Sequence, residues 1–179
     1  MNQYPKLSDQ MNQQLLEARE YKLQLWTEYV LFDWHWWLGV ILTIGPILVW
    51  IMFHKRNERK SLLLAGLTTA ILAAAIDTSG QFFGWYDYRY DVFPMAPNYV
   101  PWDFVLIPIS VMFTIQLFRN INAYLKGAIY SVIVAFTVLP ILSSIDIYVL
   151  NNWNYFYSFI ALFSIYVIAY LASQIKNTK

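Results

Sequence analysis

Four ionisable side chains stand inside or at the ends of strongly apolar stretches: His35, Asp77, Asp103 and Asp146. An acid at membrane depth is costly and usually faces a bundle interior or a water-filled cavity. Asp77 is the leading candidate. It lies in AIDTSGQFFGW, beside Thr78, Ser79 and Gln81, far along the apolar stretch that follows Lys60. At roughly 1.5 Å per residue it stands about 26 Å beyond Lys60 along a helix, in the outer part of a bilayer core. Carboxyl groups crowded in a low dielectric hold a proton more readily. A protonated carboxylic acid can donate it, so Asp77 is the candidate proton donor. The alternative is a helix that ends near Ser79-Gly80 and leaves Asp77 wet.

The other three share that depth band, with alternatives of their own. Asp103 follows Pro101, and proline at a first helical position with an acid in the first turn is ordinary helix-start chemistry. Asp146 lies one full span beyond Lys126 and fits a solvated boundary acid. His35 lies one full span before Lys55, among tryptophans, as an interfacial anchor would. Arg89 could instead pair with one of the acids in a structural salt bridge. The candidate pocket comprises His35, Asp77, Gln81, Trp85, Arg89, Asp103 and Asp146. A histidine with three carboxylates could hold a divalent ion, but no HExxH-like spacing supports it. The chain has no cysteine, which excludes disulfides, thiolate metal sites and Cys nucleophiles. No cofactor or metal is expected.

The elements that position these residues are hydrophobic helices. Five stretches approach the roughly 20 apolar residues that a bilayer core demands: about 36–53, 61–82, 101–118, 125–145 and 155–175. None shows the alternation of a barrel strand, and only helices and closed barrels satisfy their backbone groups in lipid. The composition agrees, with 59% hydrophobic, 13% charged and 19% aromatic residues among 179. A soluble domain carries roughly 25% charge. The reading is an all-α membrane protein, a bundle of about five transmembrane helices (35–179) preceded by an amphipathic, extracytoplasmic segment (1–34). Within that segment Ser8 is the expected N-cap. Leu7, Met11 and Leu15 form one helical stripe, and Leu16, Leu23, Trp26 and Val30 an adjacent one. The polar start is not a secretory signal peptide.

Orientation follows from the basic residues. Lys55, Arg56, Arg59, Lys60, Arg119, Lys126, Lys176 and Lys179, eight of the twelve Lys and Arg, fall at one end, and Glu58 is the single acid there. This places the chain in the cell membrane with its amino end outside and its carboxyl end in the cytoplasm. The aromatic loop Gly84–Val100 folds back over the outer mouth. Pro46, Pro108 and Pro140 interrupt spans and free the carbonyls of Leu42, Phe104 and Phe136. Pro108 and Pro140 share a depth about 10 Å below the outer surface, which suggests an outward-facing pocket beside the acids. Gly66, Ala70 and Ala74, spaced by four, allow close approach of a neighbour to the second span.

The run D-x-x-G-x-x-x-G-W-Y-x-Y (Asp77 to Tyr88), the run P-N-Y-V-P-W-D-F (Pro97 to Phe104) and W-H-W-W-L-G-V (Trp34 to Val40) carry a resemblance. Over roughly residues 30 to 170 the chain resembles a family of uncharacterised small multi-pass membrane proteins of spore-forming Firmicutes. That resemblance implies location and fold only. The central run is also similar to membrane carotenoid hydratases and lycopene cyclases, in which Asp77 would stand where those enzymes have a Glu. The second acidic motif of those enzymes has no clear match here.

Three functions compete. The favoured one is a non-enzymatic sensor, accessory or hydrophobic-ligand-binding protein, with a lipid or isoprenoid as possible ligand and a membrane protein or a second copy as possible partner. The alternative is an intramembrane enzyme that donates a proton from Asp77 to an isoprenoid or lipid. The third is a proton- or cation-coupled transporter, disfavoured by five helices without an inverted repeat. Nucleic-acid binding is not expected, because no aromatic-interleaved basic patch exists outside the short inner loops.

Overall fold

The computed structural model describes residues 3–96, 98–117 and 120–175. Pro97, Phe118, Arg119, Lys176 and Lys179 lie outside the described residues. The described chain is helical: α1 (Tyr4–Leu25), α2 (Trp34–Phe53), α3 (Arg59–Phe82), α4 (Pro101–Gln116), α5 (Ala123–Ser144) and α6 (Tyr155–Ser173). Two short strands, β1 (Tyr86–Tyr88) and β2 (Tyr148–Leu150), pair antiparallel with Tyr86 opposite Leu150 and Tyr88 opposite Tyr148.

Four helices, α2, α3, α5 and α6, are long and apolar enough to cross a membrane. The third expected stretch is shorter than 101–118. Leu117 takes an extended conformation after Gln116 and ends α4. The Lys126 ammonium donates to the carbonyls of Ile115 (3.1 Å) and Leu117 (2.9 Å) there. A cation on the last carbonyls also complements the helix dipole.

Helix α3 is the centre of the bundle. It packs against both α4 and α6, α6 packs against α5, and α2 leans mainly on the first turns of α4. Its small residues explain the closeness. A side chain at Gly66 would collide with Met112 of α4, as the four-residue spacing anticipates. The strand pair ties the end of α3 to the end of α5. At the opposite end, the Gln116 side chain accepts from the amide of Lys55 (2.9 Å) and donates to the carbonyl of Phe53 (3.1 Å). Helix α4 therefore runs from the strand end to the basic end, and α5 returns.

Both prolines of the matched pair follow π-helical stretches, Pro101–Leu106 before Pro108 and Val134–Val138 before Pro140. A proline cannot donate to the carbonyl one turn back, and widening the ladder to i→i+5 relieves that conflict. Pro46 sits within an uninterrupted α2.

The amino-terminal helix begins earlier than expected. Gln3 precedes its first turn and Pro5 occupies that turn, so Ser8 is not the N-cap. Proline suits that position because its missing N–H has no intrahelical partner to lose. None of α1 is buried. Its far end is held by Trp26 Nε1, which donates to the Asp91 carbonyl (2.6 Å), and by Lys22 Nζ, 2.7 Å from Asp91. Burial raises the pKa of Asp91, and Lys22 opposes that shift.

Asp33 caps α2 by accepting from the amide of His35 at 2.9 Å. That hydrogen bond, then the His35 ring, holds its carboxyl below the ordinary value of 3.8. A carboxyl lowered on folding contributes stability above its unfolded pKa and loses it as pH falls through the folded value. Hydrogen-exchange protection in the first turn of α2 should therefore fall on acidification through and below the carboxylate range. In Asp33→Ala it should be low throughout and insensitive to pH.

Candidate functional site

The strand end of the bundle holds a small cavity of about 40 Å³. Two acids from different helices line it, Asp77 on α3 and Asp103 on α4. Asp77 is 7% exposed and Asp103 is 0% exposed. The reading of Asp77 as a wet acid past the helix end is overturned, since α3 continues to Phe82 and the side chain is enclosed. Asp103 lies in the first turn of its helix, as expected, yet its carboxyl faces the interior rather than water.

The two carboxyl groups lie within electrostatic reach of each other. Asp77 Oδ1 accepts from the Tyr86 hydroxyl at 3.0 Å. Asp77 Oδ2 and both oxygens of Asp103 have no hydrogen-bond partner among the described residues. Three buried acceptor oxygens thus lack a hydrogen bond of ordinary geometry in one place, where roughly nine in ten buried polar atoms normally have one, although the Tyr88 hydroxyl stands near Asp77, the Asn98 amide near Asp103 and each carboxyl near the other. No Lys or Arg lines the cavity.

Local sequence builds this site. Gly80 follows Asp77 by one turn, and the Tyr86 ring lies where a side chain would be, with a Cβ falling 2.3 Å from the ring. Gly84 turns the chain with φ +65, a conformation that glycine adopts without steric cost. The amide of Trp85 then donates to the Gly80 carbonyl at 2.9 Å. Strand β1 alternates, so Tyr86 and Tyr88 share a face and both are buried over the acids while Asp87 is exposed. Tyr88 stacks on Tyr99 at 5.2 Å, and Tyr148 of β2 joins the same cluster. Burial first, and the Asp77 charge second, pushes the hydroxyls of Tyr86 and Tyr88 well above the ordinary tyrosine range. Both therefore stay protonated and able to donate.

Asn98 fastens the returning loop to α3. Its amide donates to the Ala74 carbonyl (2.9 Å) and to the Thr78 hydroxyl (3.0 Å). The aromatic loop does fold over this end, with Val92 and Tyr99 buried. The residues just before the paired prolines, Ile107 and Leu139, line the cavity. The bulges and the acids therefore share one level, as the proline spacing suggests.

The remaining candidates lie elsewhere. Asp146 and Arg89 pair with each other at 3.3 Å, and both side chains are more than half exposed. Neither enters the cavity. Asp146 has φ 58 and ends α5, a left-handed position that Asp tolerates better than most residues. Exposed pairs contribute at most about 1 kcal/mol. Arg89→Gln should therefore shift stability by no more than about 0.5 kcal/mol, measurable by thermal unfolding in detergent.

His35 also lies outside the cavity. Its Nδ1 is 2.5 Å from Asp33 and its ring stacks on Tyr90 at 3.7 Å, in keeping with an aromatic anchor. Gln81 is half-buried and does not line the cavity. Trp85 stacks on Trp153 at 5.1 Å and lines a neighbouring groove. Among the described residues no cluster of three or more His, Cys, Asp or Glu could hold a metal ion.

Sequence reasoning missed Tyr86, Tyr88, Tyr148 and Trp153 as cavity residues. The period-two spacing of Tyr86 and Tyr88 was an available signal. The pairing that brings Tyr148 beside them was not, because it links segments far apart in the chain. No protein-family model, curated protein or solved structure matches the chain.

Proposed function

We propose that this chain is a small multi-pass protein of the cell membrane, crossing five times with its amino end outside and its carboxyl end in the cytoplasm. On this reading it is a non-enzymatic sensor or accessory module, and its outward pocket recognises a group that donates hydrogen bonds to Asp77 and Asp103. Helix α4 serves as the fifth crossing. It is shorter than the others, yet it runs between the same two ends. Large apolar side chains such as Ile41, Leu48, Ile51, Leu67, Ile71 and Ile168 are exposed along the helices, an arrangement that suits hydrocarbon and not water. The unburied α1 lies on the outer membrane surface.

The observation that carries the binding reading is the set of buried carboxyl oxygens without a hydrogen bond of ordinary geometry beside a small cavity. Buried polar atoms without partners are costly, by about 1–3 kcal/mol each. Sites that keep such a cost are typically functional. The cavity is far smaller than the roughly 300–1,000 Å³ of drug-sized ligand sites, so it admits a small group and not a whole isoprenoid.

The enzyme reading has one observation in its favour. The cavity adjoins an apolar groove, and Asp77 is hydrogen-bonded to a tyrosine that stays protonated. Purification of wild type and Asp103→Asn from membranes, with mass spectrometry of what each retains, separates the readings. The binding reading expects a small molecule or membrane-protein partner held by wild type and lost from the variant, with the membrane lipid inventory unchanged. Identical retention by both chains would sink it. A lipid product missing from Asp77→Asn membranes would favour the enzyme. Topology has its own test, made simple by the absence of cysteine. An impermeant maleimide on intact cells should label a cysteine at Asp87 and spare one at Asn57.

A further inference from the structure

We propose that the ligand is a single-chain amphiphile with a primary ammonium head, its chain lying in the groove between α3 and α6 and its head in the cavity against Asp77 and Asp103. This rests on the binding reading above and names the ligand class.

The groove holds about 590 Å³ and is lined by Leu72, Ala75 and Ile160 along its length, with the stacked Trp85 and Trp153 at its head. That volume lies within the roughly 300–1,000 Å³ of known ligand sites. Ile76, Trp153 and Ala161 line both groove and cavity, so a single layer of side chains divides them. A hydrocarbon chain in the groove therefore ends beside the acids.

The head follows from the acceptors and the volume. The cavity presents three orphan oxygens, Asp77 Oδ2 and both of Asp103. An ammonium group offers three donors and no acceptor, and it supplies the positive charge that no cavity-lining residue provides. The cavity of about 40 Å³ suits a group near the size of one water, whose share of the liquid is about 30 Å³. It excludes a phosphate or a sugar. Trp153 is fixed by donating to Ser158 at 2.9 Å, and its ring forms the wall past which the head must enter.

The test uses radiolabelled hexadecylamine, with hexadecanol and propylamine as comparison probes. The purified full-length chain sits in nanodiscs of zwitterionic lipid, and retention is measured beyond empty discs. Saturable retention of hexadecylamine is expected, reduced by about tenfold or more in Asp103→Asn. The groove variant Ala75→Phe, on an exposed face of α3, should weaken hexadecylamine alone. Equal retention of hexadecanol, or equal retention by Asp103→Asn, would overturn the ammonium head. Propylamine binding with hexadecylamine unaffected by Ala75→Phe would overturn the groove. Absence of hexadecylamine binding while wild type still holds an Asp103-dependent natural ligand would overturn this inference and leave the binding reading standing.

Discussion

Gly80→Ala should destabilise the protein by roughly 2–6 kcal/mol and detach Tyr86 from Asp77. The added Cβ would fall 2.3 Å from the ring and 2.4 Å from its hydroxyl. Tyr86 is itself 3% exposed and packed against Tyr88, Tyr148 and Trp153, so the ring has little room to yield. Overpacking of this kind costs about 1–3 kcal/mol. Loss of the 3.0 Å bond removes a hydrogen bond that a buried carboxyl accepts, which costs about 1–3 kcal/mol more. Thermal unfolding in detergent measures the sum, and Tyr86→Phe isolates the hydrogen-bond part. Gly45→Ala is the control. Nothing lies within 4 Å of a Cβ there, so the helix should gain about 0.5–1 kcal/mol.

Replacement of Asp103 by leucine should have the opposite sign. The carboxyl is completely buried, its two oxygens lack partners, and a second acid stands beside it. Leucine is close to aspartate in shape, and the adjoining cavity accommodates the difference. Removal of a buried polar group whose oxygens accept no hydrogen bond relieves a desolvation cost of about 1–3 kcal/mol. The unfolding midpoint should rise by several degrees, while the retained ligand is lost. A gain in stability with a loss of binding is the signature of a functional site and not of a structural acid.

The apolar helices were legible because their signal is local. Length and hydropathy identify α2, α3, α5 and α6 without any knowledge of packing. The short α4 was legible as an apolar run but not in its extent. The stop at Leu117 depends on Lys126, which reaches back to its carbonyls from the next helix. Asp77 stood out because an acid so deep in an apolar run has few benign explanations. Asp103 read ambiguously, since its sequence position suits both a helix start and a site. In the structure it lies within the π-helical turn that precedes Pro108, and it is buried there.

Asp146, Arg89 and His35 were gathered with these acids by depth alone. Depth fixes a level along the bundle and says nothing about which way a side chain points. Each of the three has its own nearby partner at that level. The strand pair explains the tyrosines that were missed. Tyr86 and Tyr148 meet only because β1 and β2 bridge the ends of α3 and α5, a contact that single-segment patterns do not encode.

The claim on which the rest depends is that Asp77 and Asp103 share one small cavity. A double-mutant cycle on unfolding free energy, using Asp77→Asn, Asp103→Asn and the double variant, tests it most directly. Two acids in one cavity should be coupled by roughly 0.5–3 kcal/mol, so the double variant gains less than the single variants imply. Strict additivity of the two substitutions would mean that the carboxyl groups do not meet.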